Sequence, residues 1–141
     1  PNVPVLMSPI GGATINLDNA NTFTWTFSDP DSGDTQSAYD VRYRVVGDPT
    51  WISLGWQTSA NSEHTFAAAT FTAGQNYEWQ AATKDNHDLA GAWSGSSYYT
   101  AQATPATPVS PAPPTSARTG SSCRRSAGQG SRTSSSSPRC R

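Results

Sequence analysis

The chain has one lysine, one methionine and no cysteine before residue 123. Without cysteine the body can hold no disulfide. Cys123 and Cys140 have no histidine near them and fit no zinc spacing, which leaves a tail disulfide or two free thiols and leaves the redox compartment open. No run approaches the ~20 apolar residues that cross a bilayer, and no charged-then-apolar signal segment opens the chain, so no membrane partner is expected. Basic residues are scarce across positions 1 to 104: Arg42, Arg44 and Lys84 stand against all ten acidic residues, a net charge of 3 − 10 = −7. A phosphate backbone is gripped mainly by clustered Lys and Arg, so nucleic acid is not an expected partner of this body. Gly11-Gly12 precedes no helical pattern and makes no phosphate loop. A start at Pro1, without methionine, points to a processed product or a piece of something longer.

Residues 105 to 141 contain six prolines, ten serines and six arginines, with no acidic residue and no aromatic. Such a segment buries too little apolar surface to offset its ordering entropy, and the sequence predicts a disordered tail. Its bias fits a linker, an out-of-frame translation of a GC-rich gene or a cloning remnant. One folded domain over 1–104 and a tail over 105–141 is the expected organisation.

Within the body, apolar and polar residues alternate with period two, the signal of half-buried strands. Phe23, Trp25 and Phe27 share one face of residues 21 to 28, with threonines on the other. Tyr39, Val41, Tyr43 and Val45 oppose Asp40, Arg42 and Arg44 in 38 to 47, and Tyr77, Trp79 and Ala81 oppose Glu78, Gln80 and Lys84 in 76 to 84. Weaker signals lie at 3 to 8, 50 to 56, 63 to 68 and 93 to 101. Seven short strands with turn formers between them predict an all-β, seven-stranded antiparallel sandwich.

These residues carry a family resemblance. Trp25, then Tyr39-x-Val41-x-Tyr43-Arg44 with Trp51 following, then Phe71-x-Ala73-Gly74-x-x-Tyr77-x-Trp79, resemble a fibronectin type III domain, an immunoglobulin-like sandwich, over residues 3 to 103. The resemblance makes Trp25, Tyr43, Tyr77 and Trp79 structural core, with Tyr77 as a tyrosine corner whose hydroxyl bonds back to the backbone. It also makes Trp51 structural. Phe71 and Ala73 stand where the family usually has leucine and proline. More narrowly, SPIGGATINL, FTWTFSDPDSGDTQSAYDVRYRVVG, FTAGQNYEWQAATKD and GAWSGSS are similar to modules of bacteriophage minor tail proteins. That likeness implies a non-catalytic spacer or assembly contact in a virion, with tail proteins or further modules of the same chain as partners. Two alternatives stay open: a carbohydrate- or receptor-binding adhesin module, and an accessory module of a secreted or cell-surface bacterial hydrolase.

The stretch SDPDSGDTQ, residues 28 to 36, places Asp29, Asp31 and Asp34 close together. Its order departs from the EF-hand loop and strands flank it instead of helices, which excludes that motif. In a sandwich of this type the loop KDNHDLAG lies at the same pole, so Asp85 and Asp88 should join the three. A preceding module would sit on that pole. Ca²⁺ held between the loops, stiffening such a junction, is the metal reading, while aspartates serving as turn formers are the alternative. No nucleophile accompanies His64 or His87, and Glu63 and Glu78 form a carboxylate pair whose spacing admits glycoside chemistry, although a polar strand face is the ordinary place for both. No enzyme activity is expected. Trp56 and Trp93, with Tyr98 or Tyr99, are the candidate aromatic surface for a host glycan or a protein partner.

Overall fold

The alternating segments do become strands, and the computed structural model, which describes residues 1–105, is all-β with no helix among them. The strands are β1 (Val5–Ser8), β2 (Ala13–Asn16), β3 (Asn21–Thr26), β4 (Gln36–Val45), β5 (Ile52–Ser53), β6 (Gln57–Thr58), β7 (Glu63–Phe66), β8 (Asn76–Asp85) and β9 (Ser97–Gln102). They form a three-stranded sheet in the order β1-β3-β7 and a larger sheet in the order β2-β9-β8-β4-β5, with β6 also paired to β4. The expected tail falls on residues outside the described ones.

Two features differ from the seven-stranded antiparallel expectation. Nine strands are present among the described residues, and β2 pairs β9 in parallel, Ile15 opposite Ala101. The parallel pairing and one of the two added strands follow from the first segment changing sheets. The chain leaves the small sheet after Ser8, turns through Gly11 and Gly12 at φ of 63° and 81°, and runs along β9 in the large sheet. Such positive φ values suit glycine, which has no Cβ to clash. The segment at 50 to 56 holds only β5, β6 follows it as a separate short strand, and β9 begins at Ser97, four residues after the expected start.

The long pairing of β4 with β8 sets the register of the core, with Val41 opposite Ala81 and Tyr43 opposite Trp79. Phe23 of the small sheet inserts against this face. Its ring lies 4.9 Å from Phe66, 4.9 Å from Trp79 and 5.1 Å from Tyr99, all edge to face. That geometry suits the ring quadrupoles and adds to the area buried. Buried indole nitrogens find acceptors: Trp79 Nε1 donates to the Pro9 carbonyl at 2.8 Å and Trp25 Nε1 to Gln36 Oε1 at 3.1 Å. The expected tyrosine corner is present, since the Tyr77 hydroxyl accepts the Thr72 amide at 3.0 Å.

The outer face of the large sheet is less open to water than alternation implies. Arg42 lies 4.1 Å over Trp93 and 4.7 Å over Trp51, and Arg44 lies 4.3 Å over Trp51 while its Nε pairs with Glu78 at 2.7 Å. Under this layer Asp40 and Glu78 are buried, and Ser53 Oγ donates to Asp40 Oδ2 at 2.7 Å. Trp51 is therefore structural on the outside of the sheet, as a stacking partner for two guanidinium groups.

At the edge of the core the Tyr39 hydroxyl meets His64 Nδ1 at 2.9 Å, and the imidazole packs edge to face on Phe66 at 4.6 Å. Burial lowers the His64 pKa below 6.5. The unfolded chain thus takes up this proton first as pH falls, so stability present above about pH 6.5 is lost as pH drops toward the folded-state value. The melting temperature should fall between pH 7 and pH 5, and less so in His64→Phe, which keeps the packing without the titration. Equal falls in the two proteins would show that His64 does not couple to folding.

Candidate functional site

Pro1 lies beside the turn that follows β3, with the Asn2 amide donating to the Ser28 carbonyl at 2.9 Å. Thr104 lies beside the turn that precedes β3, its amide donating to Asp18 Oδ2 at 2.9 Å. Residues 1 and 104 thus mark opposite poles of the sandwich, as the strand directions lead one to expect.

The first pole collects the acidic groups. In the β3–β4 loop Asp29 Oδ1 accepts the Asp31 amide at 2.9 Å, an Asx turn, and the Asp34 amide reaches the Asp31 carbonyl at 3.3 Å. The next link is to the other loop: Asn86 Oδ1 accepts the Thr35 amide at 3.1 Å, and His87 Nδ1 lies 3.3 Å from Asp34 Oδ2. Asp85, at the end of β8, accepts the His87 amide at 2.8 Å and the Leu89 amide at 3.0 Å through Oδ1. The Ser37 hydroxyl donates to its carbonyl. The hydrogen bond from the Asp31 amide, followed by the Pro1 nitrogen, holds the Asp29 carboxyl below its usual range.

Two overlapping groups of side chains able to act as ligands result, Asp29 with Asp31 and Asp34, and Asp34 with Asp85 and His87, each offering atoms within 4.8 Å of one another. Four of the five aspartates expected at this pole therefore converge. Asp88 stands apart, in a positive-φ turn at 64°, with its carboxylate held 2.7 Å from Lys84 Nζ. His87 takes its place beside Asp34. Its position in KDNHD was the available signal, and the i, i+2 separation from Asp85 put it on the same side of the turn.

The aromatic surface divides. Trp56 is 42% exposed and packs under Lys84, whose Nζ is 4.9 Å from the ring. Trp93 is half-buried on Arg42. Lys84 and Arg42 share the outer face of the large sheet, so both tryptophans flank that face. Tyr99 does not belong to any surface. It is 1% exposed, stacked on Tyr77 at 5.4 Å, with burial pushing its phenol pKa far up. The correction follows from strand alternation: β9 points Tyr99 and Ala101 inward and Tyr98, 49% exposed, outward.

The glutamates cannot act as a pair. Glu63 lies on the outer side of the small sheet opposite Thr24, and Glu78 on the outer side of the large sheet opposite Arg44. The whole thickness of the sandwich separates them, so they cannot flank one glycosidic bond.

The model of a family described as Rha78A-like, N-terminal immunoglobulin domain matches residues 13–102. A search of curated protein sequences gives no match. Among solved structures, the chain is similar to an α-L-rhamnosidase from Dictyoglumus thermophilum, at 15% identity and a TM-score of 0.57, covering 70% of this chain and 12% of that one. It is similar to a Streptomyces avermitilis α-L-rhamnosidase complexed with L-rhamnose at 20% identity and a TM-score of 0.58, covering 70% and 10%. The chicken CNTN1 FN1-FN3 domains are a third likeness, at 20% identity and a TM-score of 0.53, covering 74% and 36%. At these identities the structural likeness shows the immunoglobulin and fibronectin type III fold alone. The chain spans about an eighth or less of the rhamnosidases it resembles.

Proposed function

Since the chain belongs to the family of Rha78A-like N-terminal immunoglobulin domains, we propose that it is a non-catalytic accessory module of a secreted bacterial glycoside hydrolase, positioning a catalytic domain carried on the same polypeptide. The observation that carries this reading is the family match over residues 13–102, nearly the whole described sandwich. The two rhamnosidases support it, since a domain of this fold forms a tenth or so of each. The phage tail reading draws no support from these matches, and the hydrolase alternative takes its place.

A spacer needs a surface for its neighbour. Val3, Val5 and Met7 alternate along the first strand segment and are all half-exposed or more, an apolar strip at the edge of the small sheet against which an adjoining domain can pack. The separation of Glu63 from Glu78 is consistent with this reading, since those two carboxylates cannot act together on one glycosidic bond.

The 141-residue chain should give no turnover of p-nitrophenyl α-L-rhamnoside. Removing residues 1–104 from the native polypeptide should shorten the half-life of its activity on heating several-fold and leave KM within twofold. Turnover by the isolated chain, or an unchanged half-life, would overturn the accessory role.

A further inference from the structure

The outer face of an antiparallel sheet is normally polar. The small sheet departs from this along its first strand, where Val5 and Met7 point outward and are 61% and 52% exposed, while Pro4 and Leu6 turn inward. Their neighbours on this face are threonines, Thr22, Thr24 and Thr26 of β3 and Thr65 of β7, and the Thr22 and Thr65 hydroxyls bond each other at 2.9 Å. Glu63 is its one charged residue among the described residues. The outer face of the large sheet, by contrast, carries Arg42, Arg44, Glu78 and Lys84. Depletion of charge around exposed apolar side chains is the composition of an interface core.

The strip runs into a groove. Between β1 and residues 94 to 97 lies an open groove of about 330 Å³, walled by Val5, Leu6 and Ile10 on one side and by Ser94, Ser96 and Ser97 on the other. Ser94 Oγ already accepts the Ala81 amide and donates to the Gly95 carbonyl, both at 3.0 Å, and Ser96 Oγ accepts Gln80 Nε2 at 3.1 Å. Those two hydroxyls need no further partner, so an apolar side chain can enter without orphaning them.

Size restricts the kind of partner. Three strands about 4.8 Å apart and four to six residues long, at about 3.4 Å per residue, cover roughly 300 Å². A partner that diffuses freely, a second copy included, needs about 800 Å² per side. A domain on the same chain needs far less, because its tether holds it at an effective concentration of about millimolar.

We infer that this face docks the neighbouring domain of the same polypeptide, which lays an uncharged apolar surface over Val5 and Met7 and seats one apolar side chain in the groove beside Ile10. The inference rests on the accessory role proposed above and adds the place where the two domains meet.

Met7 is the one methionine of the 141 residues, and methionine oxidation follows exposure, so hydrogen peroxide reports cover on this face. Mass spectrometry of the peptide holding Met7 should show oxidation at least tenfold slower in the native polypeptide than in the isolated 141-residue chain. Val5→Lys, on an exposed side chain, should leave the melting temperature of the isolated chain unchanged and restore fast Met7 oxidation in the native polypeptide. Equal rates in the isolated chain and in a native polypeptide that carries a hydrolase domain would overturn the docking face and leave the accessory role standing. Continued slow oxidation in the Val5→Lys polypeptide would also overturn it. A native polypeptide without a hydrolase domain would overturn both readings. Slow oxidation in the isolated chain that speeds up on dilution would put a second copy on this face and contradict the tethered partner.

Discussion

Replacing Trp79 by alanine is expected to lower the unfolding free energy by about 3–5 kcal/mol, the usual cost of deleting a fully buried large aromatic. Trp79 has no exposed surface and meets Phe23 edge to face at 4.9 Å. It sits midway along β8, opposite Tyr43, so the cavity would open between the two sheets where no loop can relax to fill it. The indole also ties the sheet-switching turn to the core through the Pro9 carbonyl. Domains of this size are stable by about 5–15 kcal/mol, so the variant should melt at least ~10 °C lower or fail to fold. Trp79→Phe separates the contributions. It keeps most of the ring volume and loses the hydrogen bond, and should cost about 1–2 kcal/mol. Urea unfolding followed by Tyr and Trp fluorescence checks both variants. A Trp79→Ala protein within 1 kcal/mol of the parent would mean that the core is not built around this residue.

The second large effect is expected at Gln36, a residue that hydropathy alone gives no reason to single out. Gln36 is buried at the start of β4, where its Oε1 accepts the Trp25 indole at 3.1 Å and the Ser62 hydroxyl at 3.0 Å. Its Nε2 donates to the Ser59 and Asn61 carbonyls at 3.1 and 2.7 Å. One amide thus serves four partners and fastens the turn before β7 to the two sheets. Gln36→Leu fills similar space and orphans all four. The Trp25 N–H stays buried without an acceptor while the others can reach water, so a loss of about 2–4 kcal/mol is expected. Gln36→Glu should cost at least as much, because its second carboxylate oxygen would face the Ser59 and Asn61 carbonyls with no hydrogen to donate and its charge would be buried unpaired. A leucine variant as stable as the parent would show that these partners rearrange freely.

Strands were legible where alternation was long and unbroken. β3, β4 and β8 were readable from Phe23 and Trp25, from Tyr39 to Val45 and from Tyr77 to Ala81, because each places bulky residues on one face for three or more repeats. β2 was not, since Ala13–Asn16 offers Ile15 alone as a buried apolar side chain and its partner in β9, Ala101, is 101 − 15 = 86 positions away. No local pattern announces a parallel pairing of that separation.

The outer sheet face was misjudged for another reason. Period two tells which side a residue takes, and it says nothing about what then lies on top. Arg42 and Arg44 have apolar stems and planar heads that stack on Trp51 and Trp93, so Asp40 and Glu78 end up covered. Long side chains of this kind can make a polar face into a second packed layer.

At the acidic pole the two loops were legible and the direction of each side chain was not. Asp29, Asp31 and Asp34 sit in one turn, and short aspartates in one turn converge with little choice. Asp85 and Asp88 are separated by a turn whose last residue takes positive φ, which sends Asp88 back toward Lys84 and leaves Asp85 facing Asp34. Tyr99 and Tyr98 show the same limit in a strand: a register one residue off exchanges the buried ring for the exposed one.

Sequencing by mass spectrometry the native polypeptide that contains residues 1–104 tests the central claim most directly. The account predicts a glycoside hydrolase catalytic domain on that same polypeptide. A polypeptide in which this sandwich is joined only to virion tail modules, with no hydrolase domain, would contradict it.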